Sequence, residues 1–84
     1  MNLRLERRLA PRRNTHVAAK IVFASGRASR ECVIRNVSET GAKLELASVA
    51  GVPDVFDLVV PDHQPQPCRV IWRALKELGL VYLP

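Results

Sequence analysis

Apolar and polar residues alternate along most of this sequence, and no stretch of ten or more residues carries the i, i+3, i+4, i+7 apolar spacing of an amphipathic helix. Side chains of a strand point to opposite faces in turn, so such a chain is confined to sheets with one buried face. Val17, Ala19, Ile21 and Phe23 alternate with Ala18, Lys20 and Val22, and Ser25-Gly26 then marks a turn. Residues 30–37 read as a second strand with Cys32 and Ile34 on one face. Gly41 opens a third, in which Ala42, Leu44 and Leu46 face inward and Lys43 and Glu45 outward. A connector at 48–54 leads to a fourth strand, where Phe56, Leu58 and Val60 alternate with Asp57 and Val59. Pro61 to Pro67 reads as a polar loop, because proline cannot donate to a ladder. Cys68, Val70 and Trp72 then alternate with Arg69, Ile71 and Arg73, which places Trp72 in the core, and Leu78–Leu83 makes the last strand.

Six short strands joined by tight loops predict an all-β fold: a six-stranded antiparallel barrel of Greek-key or split type, closed or nearly so. Closure removes exposed strand edges, which matters in a chain with no helix to cover one. At 84 residues there is room for one such domain. The reading divides the chain into a flexible basic arm, residues 1–14, and a barrel, residues 15–84.

Charge supports that division. Residues 1–13 hold five arginines against Glu6, whereas the rest holds eight Lys/Arg against seven Asp/Glu, so a net +4 sits on the arm and +1 on the barrel. Clustered guanidinium groups suit a partner bearing phosphates or carboxylates, which they meet bidentately. No apolar run is long enough to span a bilayer, and no export signal is read, so a cytoplasmic, reducing compartment is expected, with Cys32 and Cys68 as thiols. Cys32, Cys68, His16 and His63 lack the close pairing of structural zinc ligands, and no nucleophile–base–orienter set, carboxylate pair or phosphate loop is evident. The expectation is a domain that is not an enzyme and needs no cofactor.

Two motifs stand apart from the strand pattern. Arg8-Leu9-Ala10-Pro11-Arg12 is an R-x-x-x-R on the arm, preceded by Arg7; Asn36-Val37-Ser38-Glu39-Thr40-Gly41 is an N-x-S-x-x-G where strands two and three meet. Arg12 and Asn36 lie 24 positions apart. In this order and spacing the two resemble the PilZ family, which carries R-x-x-x-R followed by [D/N]-x-S-x-x-G. Ala42–Leu46, the Cys-Arg-Val-Ile-Trp-Arg of 68–73 and the Glu-Leu-Gly-Leu-Val-Tyr of 77–82 are similar to that family's later strands, so the resemblance covers nearly the whole chain.

The resemblance implies a receptor module for cyclic di-GMP that signals to a downstream protein partner through ordering of the arm. It implies that Arg8 and Arg12 meet phosphate and guanine, that Asn36 and Ser38 meet the base, and that Arg7 goes with an intercalated ligand dimer. The residue chemistry is compatible. Guanine offers O6 and N7 to arginine, and an asparagine amide or serine hydroxyl can donate or accept. Val37 between them points the other way, so Asn36 and Ser38 share a face. Gly41 is expected to supply a positive φ and close ligand approach. The same N-x-S-x-x-G is also ordinary hairpin chemistry. Two other readings remain open: a ligand-free PilZ-like protein-interaction domain, and a small basic barrel on nucleic acid. The near-neutral barrel weighs against a nucleic-acid polymer as partner.

Overall fold

In a computed structural model, which describes residues 13–84, those residues form six strands and no helix. They are β1 (Arg13–Phe23), β2 (Ala28–Val37), β3 (Gly41–Glu45), β4 (Val55–Val59), β5 (Gln66–Arg73) and β6 (Glu77–Tyr82). The order around the barrel is β1-β2-β3-β6-β5-β4, with every neighbouring pair antiparallel. The ring closes where Lys20, Ile21 and Val22 of β1 pair with Val59, Leu58 and Asp57 of β4. Among the described residues no helix is long and apolar enough to cross a membrane.

The alternation sets the inside. Ile21, Leu44, Leu78 and Cys68 are completely shielded from solvent, with Ala19, Cys32, Ile34, Leu46, Phe56, Leu58 and Leu80 around them. Val52, from the 48–54 connector, plugs the same core. Each such aliphatic or aromatic side chain contributes roughly 1.5–3 kcal/mol relative to exposure. The β1–β2 turn forms where expected: Gly26 takes φ +87°, and its N–H donates to the Phe23 carbonyl at 3.1 Å.

Three local expectations are corrected. β1 begins at Arg13, so Arg13 and Asn14, assigned to the arm by their charge and polarity, lie in the sheet opposite Val37 and Asn36. Pro67 sits inside β5 rather than in the loop. It opposes Asp57, and it joins the sheet as an acceptor, its carbonyl taking the Leu83 N–H at 2.8 Å. Val17 is exposed although it pairs with the buried Ile34, in phase with Ala19 and Ile21; the β1–β2 register slips just before it, between Asn14 and Val17. The Thr15 hydroxyl lies at that slip and donates to the Ile34 carbonyl at 2.6 Å.

Candidate functional site

One row of paired residues runs across five strands on the outer face. Asn14 opposes Asn36, Asn36 opposes Lys43, Lys43 opposes Gly79 and Gly79 opposes Trp72. The row lies between two inward-facing ones. In β3, Ala42 and Leu44 pack on or in the core on either side of Lys43; in β6, Leu80 and Leu78 do so on either side of Gly79. β2 and β5 each need an additional residue to conform. Two steps from Ile34 to Asn36 span one from Leu44 to Lys43, and two steps from Val70 to Trp72 span one from Leu80 to Gly79. These are β-bulges, which leave one extra residue unpaired and re-aim the next side chain. Strict alternation from Cys32 and Ile34 would send Asn36 into the barrel. The extra residue at Arg35 turns it out and lets Val37 return to the core. The extra residue at Ile71 turns Trp72 out in the same way, leaving it 42% exposed. Trp72 is therefore a surface residue, and its expected core place is overturned.

The β2–β3 turn completes the site. The Ser38 N–H donates to the Gly41 carbonyl at 2.9 Å, and the Ser38 hydroxyl accepts the backbone N–H groups of Thr40 and Gly41, each at 3.3 Å. Ser38 thus folds the turn, whatever else it does. The Tyr82 N–H donates to the Thr40 carbonyl at 2.9 Å and ties the turn to β6. Gly41 does not have the expected positive φ; it is buried where a Cβ would run into the Leu80 carbonyl. Its lack of a side chain serves the approach of β3 to β6.

Asn36, Ser38, Thr40, Gly41, Lys43, Ile71, Trp72 and Gly79 line a common cleft, in which Lys43 is the one charged residue among the described residues. Lys43 lies 3.8 Å from Glu77 and Arg35 lies 3.1 Å from Glu45, all partly exposed. Exposed pairs of this kind contribute at most about 1 kcal/mol, so neither cation is locked. Asn14, Arg35 and Asn36 border an adjoining polar hollow with Lys43, Glu45 and Glu77. A base-sized aromatic face, an amide and two loosely held cations therefore share one shallow surface.

Of the residues singled out from sequence, the structure brings Asn36, Ser38 and Gly41 together. Arg7, Arg8 and Arg12 lie outside the described residues. Trp72 and Lys43 are the residues that sequence reasoning missed. Their alternation alone assigned Trp72 inward and gave Lys43 no distinction from any other outward lysine. Among the described residues no group of three His, Cys, Asp or Glu is placed to hold a metal ion. Cys32 and Cys68 are buried free thiols whose pKa values burial pushes up to about 11.

No curated protein matches this sequence. Among solved structures, the fold is similar to the crystal structure of the PilZ domain of CeSA from a cellulose-synthesizing bacterium. The TM-score is 0.66 at 16% identity, over 88% of this chain and 81% of that one. A family model described as PilZ domain matches residues 6–84, and with nearly the whole sequence inside that match the chain belongs to the PilZ domain family.

Proposed function

We propose that this domain binds cyclic di-GMP on the outer face of β2, β3, β6 and β5, and that the bound nucleotide gathers the arginines of the N-terminal segment onto that face. PilZ domains are in general receptors for this nucleotide and are binding rather than catalytic modules. The observation that carries the reading is the pairing of Arg13 with Val37, the second residue of the N-x-S-x-x-G motif. Arg12 is bonded to Arg13, and Arg8 lies five positions before Arg13, a reach of at most about 18 Å. The R-x-x-x-R is therefore within reach of the asparagine–serine turn.

Each part of the ligand has a complement. Asn36 offers an amide to a guanine edge, Trp72 a flat face for stacking, and Lys43 a charge for a phosphodiester. The arginines suit both O6/N7 and phosphate. Arg7 beside Arg8 favours two stacked ligand molecules. Ordering the segment against the barrel would create the surface that a downstream protein reads.

Calorimetric titration of the parent chain and of Arg12→Ala tests this. The parent should bind with one or two nucleotides per chain. Arg12→Ala should lose about 1–3 kcal/mol of binding free energy with its barrel intact. A parent chain that takes up no nucleotide ends the proposal; equal affinities remove Arg12 from the site.

A further inference from the structure

Trp72 reaches the outer face through the bulge at Ile71, which is itself 59% exposed. From there the indole folds across the neighbouring strand. A Cβ built on Gly79 would fall on Nε1 of Trp72, with Cε2 at 2.5 Å and Cδ1 at 2.7 Å. Such short distances to the ring atoms on both sides of Nε1 mean that the ring meets Gly79 with its face; an in-plane approach along the N–H would leave both carbons farther away. Gly79 is buried although its position in the row faces outward, because the indole covers it. It has no positive φ, so close approach is what a side chain here would obstruct.

We propose that Gly79 is a positioning residue of the nucleotide site. Its bare Cα gives Trp72 a flat seat, so that one face of the indole packs on β6 and the other is offered to a guanine in the row completed by Lys43 and Asn36. The Ile71 bulge delivers the ring and Gly79 holds its tilt. A ring pushed off that seat presents an edge, and stacking on a base is lost. The inference rests on the cyclic di-GMP reading and adds to it the residue that sets the geometry of the stacking face.

A double-mutant cycle in the full chain tests this, with cyclic di-GMP as the titrant. Gly79→Ala should weaken binding about tenfold in the parent, the scale of one base–aromatic stack. In a Trp72→Ala background the same change should leave affinity unaltered, because there is no ring to displace. Equal losses in both backgrounds overturn the proposal, as they would make Gly79 a general structural residue. A parent that does not bind removes the functional reading itself, and the inference with it. A second measurement needs no variant: the indole face should shift the Gly79 Hα resonances upfield, and the shift should persist in the complex. Its disappearance on binding would mean that the ring leaves its seat, which also overturns the proposal.

Discussion

A methyl group at position 41 would collide with a backbone carbonyl, which cannot rotate aside as a side chain can. Gly41→Ala should therefore spread β3 from β6 and destabilise the barrel by about 1–3 kcal/mol, the usual range for overpacking. Thermal denaturation followed by circular dichroism would show it as a fall of about 4–8 °C per kcal/mol in a domain of this size. An unchanged midpoint would mean that the strands part freely there. The result separates two uses of glycine that a sequence cannot tell apart. Gly26 is needed for a left-handed turn, and Gly41 for lack of bulk against Leu80. Both occur beside turn-forming residues, so a motif with a terminal glycine reads as a turn in either case.

The strands were legible because their signal is local: each alternating run marks its own buried face, and turn residues separate the runs. The bulges were not, because an extra residue carries no compositional mark. Arg35 next to Asn36 resembles the end of a strand, and Ile71 between Val70 and Trp72 resembles one more apolar position in it. Two insertions that shift the phase by one residue decide where the asparagine and the tryptophan point, and neither is visible before the partner strand is in place. The sharing of one face by Asn36 and Ser38 could be read from the sequence, since Val37 between them returns to the core. The turn that follows is held by one hydroxyl. Ser38→Ala removes the acceptor of the Thr40 and Gly41 N–H groups and should cost about 1 kcal/mol, whereas Ser38→Thr keeps that oxygen. Hydrogen exchange at those two amides should accelerate in the alanine variant alone. Protection retained there would assign the turn to its backbone bonds.

For the whole molecule, burial inside the barrel governs its thiols. Cys32 and Cys68 are raised from about 9 to about 11 by burial; at Cys68 a hydrogen bond with the Leu58 backbone offsets part of the effect and an Asp57 charge adds to it. A folded-state pKa above the unfolded one means that folding favours the protonated thiol. This contribution is fully present below pH about 9 and disappears as pH climbs toward about 11. Denaturant midpoints should decline across that window, and a Cys32→Ala, Cys68→Ala chain should decline less. A thiol reagent at pH 8 should label the native parent only as fast as the barrel opens. Rapid stoichiometric labelling would show that the interior is wet.

β1 has two duties at its two ends. Its first residues lie beside the asparagine–serine turn, while Lys20 to Val22, roughly 23 Å further along, form the short seam that joins the last open wall to the first. The strand end nearest the asparagine–serine turn and the latch of the cylinder are thus two points on one strand. With three residue pairs, that latch is the shortest join in the ring.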